Sequence, residues 1–186
     1  MDDTRTTRSN KQPFRTDLEA IRRRARDKMN DGAVTASNLA DRVRLIEVLN
    51  DVLATELVCV LRYRNHYYVA SGIHGETVAG EFLEHARDED QHADMVARRI
   101  TQLGGHPNLD PANLSGRSHS EYETGDSLQA MIREDLIAER IAIETYAEIV
   151  RWIGDDDPTT RRMMEEILAK EEEHADDLAN LLRSRG

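Results

Sequence analysis

A single cysteine, Cys59, stands in a chain of 186 residues. One thiol cannot close an internal disulfide. It also rules out cysteine-built zinc and iron–sulfur sites, including the rubredoxin type. Aromatic residues make up only 4% of the chain, whereas a third of it is charged, and mean hydropathy is -0.67. That balance favours helices over a β-sandwich. No stretch is long and apolar enough to span a bilayer. The opening MDDTRTTRSNKQPF has no apolar run, so a secretory leader is not expected. Together these absences predict a cytoplasmic, reduced protein of one domain.

The charge that is present is unevenly spread. Residues 1–30 hold nine Lys/Arg and five Asp/Glu, a net +4, which leaves -15 for the rest of a chain whose total is -11. An acidic body attracts cations and repels nucleic-acid backbones. Residues 1–15 lack periodicity and read as a disordered tail, and residues 16–30 can form one short basic helix. Residues 1–37 are thus expected to be a basic arm and residues 38–186 a helical bundle. Arg22, Arg23, Arg24, Arg26 and Lys28 of the arm can reach DNA phosphates or pack as a solvated segment; the acidic body favours the second.

Four long helical patterns follow the arm. The first runs from Asn38 or Asp41 to Ala70, where Ser71-Gly72 ends it. The second runs from Glu76 to Leu103 and stops at Gly104-Gly105. Residues 106–125 are rich in Pro, Asn, Ser and Gly and read as a long connection. The third begins with Asp126 as its cap, paired with Gln129, and ends at Gly154. The fourth opens on Asp157-Pro158 and runs to Arg183. Short loops within each pair and a long connection between the pairs give an all-α, four-helix bundle with one crossover.

The stretch EDQHAD, Glu89 to Asp94, recurs as EEEHAD, Glu171 to Asp176. A single Glu-x-x-His is ordinary on an acid-rich helix, where both residues are usually solvated. Each copy here has a further Glu upstream: Glu56 lies 33 residues before Glu89, and Glu139 lies 32 before Glu171. A tyrosine follows each upstream Glu by seven residues, as Tyr63 and Tyr146. From the hairpin tip to each Glu is about 20 Å along either helix at 1.5 Å per residue. The upstream Glu and the Glu-x-x-His therefore lie level. Glu and His three apart share a helix face. If the hairpins pack, Glu56, Glu89, His92, Glu139, Glu171 and His174 converge. Four carboxylates and two imidazoles suit a pair of iron or manganese ions better than zinc, and two metals about 3.5–4 Å apart can reduce an oxygen species. Four buried carboxylates without a cation would be very costly.

The stretches ATELVCVLRY, EHARDEDQHAD, REDLIAERIAIETY and EEILAKEEEHADDL resemble the ferritin-like superfamily, in its bacterioferritin and Dps-like branch, over residues 41–183. The resemblance implies a di-iron ferroxidase centre inside each subunit. Glu89 and Glu171 would bridge the irons, Glu56 with His92 completing one and Glu139 with His174 the other. Tyr63 and Tyr146 would hydrogen-bond the carboxylates. Such proteins oxidise Fe(II) with dioxygen or hydrogen peroxide and store ferric mineral in a hollow homo-oligomer. Bacterioferritin carries a haem-ligating Met after the first bridging Glu; Asp90 stands there, so no haem is expected. Twelve residues follow His174, too few for a fifth helix, which favours a Dps-like dodecamer over a 24-mer. The alternatives are a small di-iron or di-manganese oxidoreductase, such as a hydroxylase or catalase, and a DNA-protecting Dps-type protein.

Other residues are expected to be structural. Cys59 reads as a core filler. His66, His74 and His85 read as surface or loop residues, and His106 and His119 as parts of the crossover. Trp152, Met163 and Met164 read as an apolar face. Glu84 and Asp88, just ahead of Glu89, read as surface salt-bridging groups or an iron path.

Overall fold

A computed structural model describes residues 14–70 and 75–184, so residues 1–13 of the tail expected over 1–15, the Ser71-Gly72 stop and His74 lie outside the described residues. Six α-helices and two 3-10 turns make up the regular structure of the described residues: α1 (Leu18–Arg24), a 3-10 turn Met29–Asp31, α2 (Arg42–Val69), α3 (Gly75–Gln102), a 3-10 turn Pro111–Asn113, α4 (Leu114–Arg117), α5 (Leu128–Ile153) and α6 (Pro158–Arg183). The four long helices fall where the periodicity puts them. α2 packs along α3, α5 along α6, and the two hairpins meet through α2 with α5 and α3 with α6.

Local chemistry sets the helix ends. The Asp41 side chain accepts the Arg44 N–H and caps α2; Asp157 accepts the Thr160 N–H and caps α6, with Pro158 in the first turn. α5 departs from expectation. Ser127, not Asp126, accepts the Ala130 N–H, and its hydroxyl sits one residue closer to the free amides. α3 gives way to a glycine at positive φ, Gly104 (84°). A Cβ on the next residue, Gly105, would come within 2.7 Å of Ile46, so the chain needs a bare backbone there to lie against α2. The basic segment forms only the seven residues of α1, which ends at its cap Ala25, and the chain beyond it turns at Lys28 in a left-handed conformation (φ 51°).

Two apolar clusters build the core. One surrounds Leu45, Leu49, Val52, Ile100, Ile149, Met164 and Ile167; the other surrounds Cys59, Phe82, Ala86, Ile132 and Leu178. Val34 and Ala40 pack against the first, so the segment ahead of α2 lies on the bundle. Cys59 is buried, as expected. Met164 is buried and Met163 packs beside it, but Trp152 is 50% exposed. Ile149 and Ile153, four apart, take the inward positions at that end of α5 and leave Trp152 rotated outward.

The crossover lies along α2. Arg117 donates to the Asn50 carbonyl, Asn108 N–H to the Asn50 side chain, and His119 N–H to the Thr55 hydroxyl. This cover explains why α2 is buried almost all round between Val52 and Val60. Beneath it lies a buried ion pair. Arg62 donates from Nε to Asp135 Oδ1 (2.9 Å) and from a terminal nitrogen to the Glu121 carbonyl (2.8 Å). His66 Nδ1 meets Asp135 Oδ2 at 2.8 Å. Arg62, His66 and Asp135 are each at most 1% exposed. His66 is therefore not a surface residue; it lies three residues after Tyr63 on the inward face of α2.

That triad ties α2 to α5 and to the crossover, and removing one partner leaves a charge buried alone. Asp135→Ala is expected to destabilise the fold by about 3–5 kcal/mol. Arg64→Ala, which breaks a half-exposed 3.9 Å contact with Asp90, is expected to cost under about 1 kcal/mol. Chemical denaturation of the two variants beside the parent checks the contrast; equal losses would contradict it.

Candidate metal centre

Between the two apolar clusters, each of the four long helices turns carboxylates or imidazoles inward. Glu56 comes from α2, Glu89 and His92 from α3, Glu139 from α5, and Glu171 and His174 from α6. Five of the six are 1% exposed and His92 is 7% exposed. The repeated spacing does bring these side chains together.

Both imidazoles present Nδ1 to the carboxylates. His92 Nδ1 lies 3.2 Å from Glu89 Oε2, 3.3 Å from Glu56 Oε2 and 3.0 Å from Glu171 Oε1. His174 Nδ1 lies 3.4 Å from Glu89 Oε1, 3.5 Å from Glu171 Oε2 and 3.9 Å from Glu139 Oε1. Glu89 and Glu171 thus each turn one oxygen to each histidine. Two overlapping donor groups result, Glu56–Glu89–His92–Glu171 and Glu89–Glu139–Glu171–His174, with donor atoms within 4.8 Å of one another in each group. Glu89 and Glu171 are common to both.

The tyrosines cross between hairpins. Tyr63 of α2 donates its hydroxyl proton to Glu139 of α5, and Tyr146 of α5 donates to Glu56 of α2. Each upstream glutamate is held by the tyrosine of the other half. Spacing alone gives the face on which Tyr63 and Tyr146 lie; only the packing of α2 on α5 gives their partners.

Electrostatics make the cluster demanding. Burial, then the charges of Glu171 and Glu89, raise the Glu56 carboxyl well above its ordinary value; burial, then Glu89 and Glu171, do the same to Glu139. Burial also opposes charge on Glu89, but the neighbouring imidazoles of His174 and His92 outweigh it and hold that carboxyl low. Burial would likewise lower the two histidines. The carboxylates of Glu171, Glu56 and Glu89 beside it instead raise His92 far above the imidazole range, and those of Glu171 and Glu89 raise His174 to about 11. Even so, Glu56 Oε2, Glu89 Oε1, Glu139 Oε2, both Glu171 oxygens and His174 Nδ1 are buried without a hydrogen-bond partner among the described residues. Orphaned buried acceptors facing a common centre fit divalent cations, which supply the missing positive charge. The donor set of hard oxygens and two imidazole nitrogens fits iron or manganese.

Three further groups surround the centre. Asp88 Oδ2 lies 3.2 Å from His174 Nε2 and 3.9 Å from Lys170 Nζ, so it fixes the ring whose other nitrogen faces the carboxylates. Asp88 thus does pair with a lysine, while Glu84 stays exposed. His85 is not a surface residue. It is 2% exposed, stacks on His174 at 4.0 Å between ring centroids, and meets the Tyr63 hydroxyl at 3.2 Å. Burial, then the neighbouring His174 charge, lowers its basicity to about 3, so it is neutral at pH 7. The missed signal was positional: His85 is four residues before Glu89, on the same helix face.

Comparison with known proteins adds to this geometry. The family model Ferritin, described as a ferritin-like domain, matches residues 46–185. A DNA protection during starvation protein of Pyrococcus furiosus is 32% identical over 141 residues, 72% of this chain and 74% of the relative. A dodecameric thioferritin, the bacterioferritin-related protein of Bacteroides fragilis, is 34% identical with a TM-score of 0.75, over 78% of this chain and 88% of the other. A bacterioferritin of Desulfovibrio desulfuricans, solved with its diiron site in different catalytic states, is 27% identical with a TM-score of 0.67, over 76% of this chain and 80% of the other.

Cation binding requires neutral histidines and ionised glutamates, whereas the neighbouring carboxylates hold protons on His92 and His174, and burial opposes ionisation of Glu56 and Glu139. Binding must therefore release protons, and affinity must fall as pH falls. Titration calorimetry in two buffers of different ionisation heat should give heats that differ by the protons released. Identical heats would contradict the protonation pattern.

Proposed function

The chain belongs to the ferritin-like domain family, and from that premise we propose that it is a ferroxidase that takes up Fe(II), oxidises it at a two-iron centre within one subunit, and stores the ferric product in a hollow homo-oligomer. The observation that carries this reading is the pair of glutamates, Glu89 and Glu171, each directing one oxygen to each histidine across four buried helices. Glu56 with His92 would complete one iron and Glu139 with His174 the other. Manganese suits the same donors.

Each part of the chain has a task in this scheme. The four glutamates and two histidines bind two Fe(II) as substrate, and the histidines give up protons in doing so. Tyr63 and Tyr146 keep Glu139 and Glu56 from swinging away. Asp88 holds the His174 ring with Nδ1 facing the carboxylates. The apolar clusters on either side keep bulk water from the reaction. Two Fe(II) yield one electron each. With dioxygen and two protons the product is hydrogen peroxide; with hydrogen peroxide and two protons it is two waters. Both oxidants are small enough to approach between packed helices.

The assembly proposed is a dodecamer working in the reducing cytoplasm, consistent with the dodecameric Bacteroides fragilis relative. No described helix is long and apolar enough to cross a membrane. We assign residues 1–37 to an arm and 38–186 to the bundle, with Val34 of the arm already packed on the core. DNA binding by the arm is not part of the function proposed, since the body it joins carries most of the negative charge.

Glu89→Ala and Glu171→Ala should each abolish rapid Fe(II) oxidation, followed by stopped-flow absorbance of the ferric product. Losing a ligand common to both ions should cost at least about a hundredfold in rate or affinity. Parent-like rates in both variants would remove the centre from the reaction.

A further inference from the structure

Beside the proposed two-iron centre, towards the start of α3 and the end of α6, lies a second group of metal-type donors. Glu81 and His85 stand four apart on α3, and Asp177 faces them from α6, with donor atoms within 4.8 Å of one another. His85 is 2% exposed, and its Nδ1 is taken by the Tyr63 hydroxyl. Its Nε2 has no hydrogen-bond partner among the described residues and points to Asp177 Oδ2, 4.0 Å away. Among the described residues neither Glu81 nor Asp177 has a Lys or Arg within 4.0 Å, unlike Asp88 and Glu173 close by, which share Lys170.

The internal repeat shows that this group is no by-product of the hairpin pattern. Glu89 and Glu171 are 82 residues apart, as are His92 and His174. At the same offset, Glu81 corresponds to Met163, His85 to Ile167, and Asp177 to Met95. Those three residues belong to an apolar cluster on the opposite side of the centre. At these three positions one side has only apolar packing, while the other, beside its own apolar cluster, carries two carboxylates and an unshared imidazole nitrogen.

We propose that Glu81, His85 and Asp177 form a separate mononuclear site for a divalent cation, half open to solvent and next to the buried centre. One nitrogen and two carboxylate oxygens suit zinc, iron(II) or manganese(II), with water completing the shell. Donor atoms at about 2.0–2.2 Å from a shared ion stand at most about 4.4 Å apart, so small side-chain rotations close the group on a cation. His85 Nε2 is the donor that fixes the ion, because stacking on His174 and the Tyr63 hydroxyl hold its ring still.

Zinc(II) tests the site apart from any oxidation, since zinc has no redox chemistry. Metal-free, full-length protein is dialysed against zinc(II), and bound metal per chain is counted. The parent should bind about three ions, two at the centre and one here. Glu81→Gln and Asp177→Asn should each lose about one ion, while the Glu89→Ala/Glu171→Ala double variant should keep about one. A parent count of about one that Glu81→Gln abolishes would support this site while removing the two-ion reading of the centre. Saturation of the parent at about two ions that survive in both Glu81→Gln and Asp177→Asn would overturn the proposal, as would an undiminished count of three in those two variants.

Discussion

Four carboxylates placed side by side in the middle of a packed bundle repel one another, and in that low dielectric only positive charge resolves the conflict. Glu56, Glu89, Glu139 and Glu171 are each 1% exposed. In the metal-free chain, protons do the work: both histidines hold theirs far above the usual range, and Glu56 and Glu139 resist ionising. Five of the eight carboxylate oxygens still lack a partner among the described residues. A centre arranged in this way exchanges protons for cations, and its geometry is already set by the helices before any cation arrives.

The scaffold supports this strained layer on all sides. An apolar cluster packs above it and another below. The tyrosines cross from one hairpin to the other, so each hairpin holds the other's glutamate in place. The Arg62–Asp135–His66 group joins α2 to α5 two turns away, and the crossover covers it. The two halves are alike at the centre and unlike around it. Asp88 holds His174, while the residue at the same offset, Lys170, pairs with Asp88 in turn. The ligands repeat between the two halves, while the residues flanking them diverge.

Much of this was legible in the chain. Glycines, caps and apolar periodicity mark α2, α3, α5 and α6 to within a residue or two, and the doubled Glu-x-x-His with the glutamate upstream of each copy marks all six inward donors. What escaped was long-range pairing. That Tyr63 serves Glu139 rather than its own helix's Glu56 depends on how α2 meets α5. His66 and His85 read as surface residues because polar side chains usually are. Their burial follows from Asp135 and His174 arriving from other helices. Trp152 read as part of an apolar face, but Ile149 and Ile153 hold the inward positions.

Whether the centre feeds a store or serves as a fixed cofactor is decided by counting iron. Protein loaded aerobically with Fe(II) and passed over a size-exclusion column should elute as a large assembly retaining far more iron than the about two ions per chain the centre itself holds. Saturation at about two per chain would contradict storage and assign the same ligands to a fixed di-iron enzyme.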